Sequence, residues 1–169
     1  MGNDTISRGP DAQPDGGSPT KEILRLWLRA LTFTNLVEQR VRTRLRTDFD
    51  VTLPRFDVMA ALYEAPEGMS MGEVSRRLMV SNGNVTGIVE RLEREGLIRR
   101  RTRLEDRRRQ LVRLTEAGRD AFESMAGAHE EWIASMLSGL GEKEVEQLNR
   151  LLGEAKRSVL SSDGEEKRQ

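Results

Sequence analysis

A mainly α-helical protein carrying one small β-hairpin is what this sequence predicts, and three observations carry the prediction. Apolar residues recur at helical spacing through most of the 169-residue chain. Two short helical stretches follow one another across a tight turn near Ser81, and the second ends at Gly96. Directly after them, Leu97 to Thr102 and Arg109 to Leu114 read as two strands, with Leu104 to Arg108 as the tip. That order is a winged helix-turn-helix, with further helices at both ends free to form a dimerisation lobe.

Residues 1–19 are rich in Gly, Pro, Asp and Ser and read as a disordered arm. One ordered domain is expected over 20–160, with the helix-turn-helix lobe at about 53–114 and dimerisation helices at 20–48 and 115–160. Residues 161–169 read as a flexible tail. In the first helix Leu24, Leu28 and Leu31 hold one stripe, and Phe33, Leu36, Val37, Val41 and Leu45 continue it. Pro54 suits the first turn of a second helix, which Pro66-Glu67-Gly68 ends. Ser70 with Glu73 is a capping box for a third, with Val74 and Leu78 inward. Ser81 caps the fourth. Thr115 caps the fifth, whose apolar members are Ala121, Phe122, Met125, Trp132, Ile133 and Met136. Beyond a break at Gly141, Val145, Leu148, Leu152, Ala155 and Val159 keep a 3-4 spacing suited to packing against another helix.

Composition narrows the function. Cysteine is absent, which excludes disulfides, thiolate metal sites and thiol redox switching. The single histidine, His129, excludes a histidine metal cluster and leaves little acid–base chemistry. No paired carboxylate site, nucleophile–base pair or phosphate loop stands out, so an enzyme is not expected, nor is a cofactor or a metal. No signal peptide and no apolar run near the ~20 residues of a membrane span is present, so a cytoplasmic protein is expected.

Charge then points to a partner. The chain has 28 basic and 28 acidic residues, yet the run Arg99–Arg113 holds eight arginines against two acids. Arginine offers planar, multi-donor contacts to phosphate and base edges. On a helical wheel, Val85, Ile88, Val89 and Leu92 anchor the fourth helix, while Gly83, Gly87, Glu90 and Arg94 fall opposite. Thr86 lies on one shoulder, Asn84 and Arg91 on the other. Outward glycines cost helix stability, about 1 kcal/mol each against alanine. They also allow the backbone to approach a surface such as a major-groove edge. Asparagine bonds adenine bidentately, and a threonine methyl meets that of thymine. Glu90 argues against simple phosphate binding; it would accept from cytosine or orient Arg94. The bland alternatives are a weak helix and a solvated arginine run.

The expected DNA-contacting residues are therefore Ser81, Asn82, Gly83, Asn84, Thr86, Gly87, Glu90, Arg91 and Arg94 on the helix. On the hairpin they are Arg101, Arg103, Asp106, Arg107, Arg108 and Arg109. Asp106 would aim Arg108 into an A·T-rich minor groove, while Arg99, Arg101 and Arg113 include strand residues touching only phosphate or solvent.

These residues resemble the MarR family of bacterial transcription regulators. The hairpin carries Asp106, Arg108, Val112, Leu114 and Thr115 in that family's Asp-x-Arg and apolar-x-Leu-Thr pattern. Val80-Ser81, Val85-Thr86, Val89, Arg91-Leu92-Glu93 and Gly96-Leu97-Ile98 match its recognition helix. The resemblance covers about Thr20 to Leu160. It implies a homodimer with interlocking terminal helices, a pseudo-palindromic DNA operator and repression relieved by a small, often aromatic, ligand. The lack of cysteine departs from the family's peroxide-sensing branch.

Leu53-Pro54-Arg55-Phe56-Asp57 together with Met79 to Gly87 is similar to a narrower group, regulators of aromatic-acid catabolism. Some of these respond to aromatic acyl-CoA thioesters. Ligand-pocket candidates are Trp27, Arg29, Phe33, Arg55, Phe56, Met59, His129 and Trp132, with ordinary packing as the alternative for each. Two other readings stay open. One is a winged-helix protein-interaction module; the other is a regulator of drug or stress response with a different ligand.

Overall fold

The computed structural model describes residues 18–103 and 106–166, and of 102, 103, 106–109 and 162–166 only the backbone. Most of the expected N-terminal arm, Leu104 and Glu105 at the hairpin tip, and the last three residues lie outside the described residues. The chain divides into two compact units, residues 1–40 and 41–169.

In the first unit the described residues belong to helix α1 (Pro19–Phe49), which continues into the second. Its apolar side chains Ile23, Leu24, Leu26, Trp27, Leu28, Leu31, Phe33 and Leu36 are all exposed. Thr32 and Thr34 donate their hydroxyls to the Leu28 and Ala30 carbonyls at 2.9 Å, which satisfies them within the helix.

In the second unit, Val41 and Leu45 of α1 are buried. The helix closes on Asp50, which holds the left-handed φ of 54° usually left to glycine. Helix α2 (Leu53–Tyr63) carries Pro54 in its first turn and buries Phe56, Val58, Met59, Ala61 and Leu62. At Gly68, φ is 95° and a Cβ would come within 2.9 Å of the Val112 carbonyl oxygen. Only glycine fits this turn. Strand β1 (Met69–Ser70) then pairs antiparallel with a later strand, Met69 opposite Val112.

Helix α3 (Met71–Leu78) opens on the expected capping box: the Glu73 carboxylate accepts from the Ser70 N–H at 2.7 Å, and the Ser70 hydroxyl accepts from the Glu73 N–H. Val74 is fully buried, while Leu78 is half-buried rather than inward. Met79 turns the chain with a φ of 53°. Helix α4 (Asn82–Arg94) follows Ser81, which takes the cap position without a side-chain capping bond. Gly96 sits at φ 74°, and Leu97 N–H donates back to the Leu92 carbonyl at 3.0 Å, a Schellman closure.

Strands β2 (Ile98–Arg103) and β3 (Asp106–Leu114) form the hairpin, and the sheet order is β1-β3-β2. The arms are longer than the sequence suggests: Arg103 belongs to β2, and Asp106 and Arg108 belong to β3 and not to a broad tip. Arginine-rich stretches lack the alternation that marks a strand, and cross-strand pairing carries them instead.

Helix α5 (Glu116–Met136) is capped by Thr115, whose hydroxyl accepts from the Gly118 N–H at 3.0 Å and donates to the Gly96 carbonyl at 2.7 Å. A Cβ on Gly118 would overlap the Leu97 carbonyl, so glycine lets α5 begin directly against the hairpin. Helix α6 (Glu142–Glu166) runs through the first six residues of the segment expected to be a tail. Apolar periodicity stops at Leu160, but polar residues continue the helix. Val145, Leu148, Leu151, Leu152, Val159 and Leu160 are exposed along it.

The core lies in the second unit. Val58, Leu62, Val74, Val85, Val89, Leu92 and Val112 have at most 1% of their surface exposed. Each contributes about 1.5–3 kcal/mol through removal from water. Tilted ring pairs Phe56–Phe122, Tyr63–Phe122 and Phe49–Trp132 tie α5 to α2 and to the end of α1.

Candidate nucleic-acid interface

Helix α4 is held from beneath by Val85, Val89 and Leu92, all fully buried. That anchor fixes which side chains face outward. Ser81, Asn82, Gly83, Asn84, Gly87, Glu90, Arg91 and Arg94 are exposed, and Thr86 is half-buried. The Thr86 hydroxyl donates to the Asn82 carbonyl at 2.8 Å, so it is satisfied within the helix. No atom beyond the local helix backbone lies within 4 Å of a Cβ built at Gly83 or Gly87. The glycines are thus not required by packing within this chain, and their side is open to an approaching surface.

The C-terminal end of α4 is clamped. Glu95 receives the Arg55 guanidinium from α2 and Arg91 Nε at 3.2 Å. Glu93 receives Arg100 Nε from β2 at 3.0 Å. Arg100 thus fixes the hairpin to α4 and is spent on the protein itself. Among the described residues no ion pair joins Glu90 to Arg94, so Glu90 does not orient that arginine. Thr115 and Gly118 also grip the Gly96–Leu97 corner between helix and hairpin.

On the hairpin, Arg99 stands opposite Arg113 and Arg101 opposite Leu111 on one face. Arg99 and Arg101 are exposed. Arg113 is half-buried with a buried Nε that has no partner among the described residues, so it is not a freely solvated strand arginine. The side chains of Arg103, Asp106, Arg107, Arg108 and Arg109 lie outside the described residues; the backbone sets all five in β2 or β3.

The ligand-pocket candidates separate. Trp27, Arg29 and Phe33 are exposed on α1 in the first unit. Phe56, Met59 and Trp132 are buried in the core of the second. His129 lies 5.2 Å, centroid to centroid, from the Phe56 ring, and its burial lowers its pKa from the ordinary value of 6.5. Arg44 stacks 5.7 Å from the Trp132 ring. Tyr63 donates its hydroxyl to Glu123 at 2.8 Å; that bond, above all, raises its pKa.

A cleft of about 620 Å³ flanks α4, and Arg46, Asp50, Thr52 and Arg55 line it opposite Gly83, Asn84, Gly87, Ile88 and Arg91. These residues come from α1, the α1–α2 turn, α2 and α4, so no local motif announces them. Among the described residues no group of histidine or carboxylate side chains is placed to hold a metal, and no helix is long and apolar enough to cross a membrane.

A helix with a polar, glycine-bearing outer face, clamped to an arginine-rich hairpin, defines a winged helix-turn-helix protein. Residues 49–109 match the MarR family. The chain is 35% identical over 104 residues to the transcriptional activatory protein BadR of Rhodopseudomonas palustris, a match covering 60% of this chain and 59% of BadR. It is similar to the crystal structure of a MarR family transcriptional regulator from Silicibacter pomeroyi, at 30% identity and a TM-score of 0.69. That likeness covers 86% of this chain and 98% of the other. The Staphylococcus aureus MepR–DNA complex shares the fold, with a TM-score of 0.64 at 23% identity over 84% of this chain and 99% of MepR. The chain belongs to the MarR family, a family of transcriptional regulators and not of enzymes.

Proposed function

We propose that this MarR-family chain is a homodimeric, sequence-specific DNA-binding regulator, a repressor that leaves its operator when a small effector binds. One observation carries the DNA reading: the exposed Asn82–Gly87 face of α4 rests on a fully buried anchor, and the same helix is tied through Glu93 and Arg100 to a hairpin that exposes Arg99 and Arg101. Support for the homodimer comes from the exposed apolar stripes on residues 19–40 of α1 and along α6, surfaces that a second copy would cover. Two α4 helices in successive major grooves require half-sites about 34–36 Å apart and a pseudo-palindromic operator. The protein works in the cytoplasm, on double-stranded operator DNA.

Base choice falls to Asn82, Asn84, Thr86 and Glu90, with Ser81, Arg91 and Arg94 on the backbone and Gly83 and Gly87 admitting close approach. Arg108, aimed by Asp106, enters the minor groove, while Arg101, Arg103, Arg107 and Arg109 add affinity for phosphate. The effector is an aromatic acid or its CoA thioester, and the regulated genes serve aromatic catabolism. Support is the aromatic pairs of the second unit, Phe56 with His129 and Phe49 with Trp132. Release requires the effector to bind the DNA-free arrangement more tightly than the bound one.

Selection from random duplexes by the full-length protein tests the DNA reading. Enrichment of a pseudo-palindrome is expected; recovery of no common sequence contradicts it and favours a protein-interaction module. A thermal-shift panel of aromatic acids and their CoA thioesters tests the effector class, because a ligand of the native state raises the midpoint.

A further inference from the structure

We propose that the cleft between the flank of α4 and the α1–α2 turn seats one backbone phosphate of the operator in each half-site. This deepens the DNA-binding reading above and rests on it. The cleft lies on the Asn84–Arg91 shoulder of α4, beside the face assigned to the bases. A helix lying in a major groove has a phosphate chain along each shoulder, so any cation on that shoulder meets one.

Three arginines line the cleft. Arg46 is exposed and Arg91 keeps 64% of its side-chain surface open. Arg55 is different: its side chain is only 11% exposed, and its Nε is buried without a partner among the described residues. Nε itself has no open surface, so Arg55 acts on an anion in the cleft as a fixed positive charge, held in place by Glu95. Thr52 makes no side-chain capping bond, so its hydroxyl is available to donate as well. Gly83 and Gly87 open gaps in the opposite wall between Asn84, Ile88 and Arg91, which gives room for a ribose–phosphate chain.

Charge balance selects the ligand. Asp50 lines the cleft and Glu95 already holds Arg55 and Arg91. Three cations against two carboxylates leave one positive charge, which matches a singly charged phosphodiester and is weak for a pyrophosphate. The two glycines therefore serve both the base-reading face and the phosphate seat.

The test combines Arg46→Ala with operator duplexes carrying single neutral methylphosphonates. Arg46 is exposed, so the variant is expected to melt like wild type. One methylphosphonate position per half-site should weaken wild type about tenfold, as one charge-assisted contact would. Arg46→Ala should lose a similar factor, flatten the salt dependence by about one unit per half-site, and lose nothing more at that same position. Arg55→Lys, which keeps the charge but loses the fork, should show a smaller loss.

Wild-type slope in Arg46→Ala, with additive losses at every methylphosphonate, overturns the seat while the DNA reading stands. Stabilisation of free wild type by inorganic phosphate or benzoate, lost in Arg46→Ala with the operator slope unchanged, also overturns it and assigns the cleft to a small anion. Salt-independent duplex binding by wild type removes the DNA reading and the seat together.

Discussion

Two regions of this molecule use the same helical code with opposite results. In the lobe from α2 to β3, apolar residues at helical spacing close on one another: Val58, Leu62, Val74, Val89 and Leu92 are buried within one chain. In residues 19–40 and along α6, apolar residues at the same spacing stay exposed, including Trp27, Leu28, Leu148 and Leu152. The spacing tells which face is apolar and does not tell what covers it. Where several short elements of different direction converge, one chain suffices. Along the two long helices the apolar stripe stays open, the surface that a second copy would cover in the homodimer proposed above.

The largest effect should come from breaking the closed region. Leu92→Ala removes a fully buried side chain shared by the anchor of α4, and should destabilise the lobe by about 2–5 kcal/mol. Urea unfolding measures it; a loss under 1 kcal/mol would mean that the lobe core is not tightly packed. Leu152→Arg strikes the open region. It should leave the unfolding of the lobe unchanged but shift the dimer toward monomer in sedimentation velocity. An unaltered dimer would place the subunit contact elsewhere.

Two variants sharpen the role of the closed region as a platform. Gly87→Leu meets open space in the free protein, so folding and assembly should persist while operator affinity drops by at least about tenfold. Retained affinity in gel-shift titration would refute close approach by α4. Arg108→Ala should cost about 1–3 kcal/mol of operator binding and lower the salt slope. Equal binding to operators with A·T and G·C tracts under the wing, in wild type, would remove the minor-groove role.

The smallest effect concerns His129. Burial lowers its pKa below the ordinary 6.5, so the unfolded chain takes up a proton first as pH falls. Its contribution is fully present above pH 6.5 and is lost as pH drops through the lower folded value. His129→Phe should therefore flatten the decline of the melting temperature between neutral and mildly acidic pH. An unchanged decline would show that other groups cause it.

Much of the lobe was legible from local chemistry. Ser70 with Glu73, Pro54, Gly96 and Thr115 each act within a few residues of themselves, and each appears where its spacing placed it. Strand β1 was not legible, since two residues carry no alternation. Asp50 and Met79, both exposed, hold left-handed turns that sequence assigns to glycine; the helix-closing bonds from Val51 N–H to the Leu45 carbonyl and from Val80 N–H to the Ser75 carbonyl fix them. The exposed face of α4 followed from its buried anchor, Val85, Val89 and Leu92. The flanking cleft did not, because Arg46, Thr52 and the two glycines meet only through the fold.

The most direct measurement of the central claim is fluorescence anisotropy of the full-length protein with its selected operator across a series of salt concentrations. Binding by a dimer is expected, with log K falling linearly against log[salt] at about 0.9 per phosphate contacted. A scrambled duplex should bind far more weakly. A flat salt response, or equal affinity for operator and scrambled DNA, would contradict the claim.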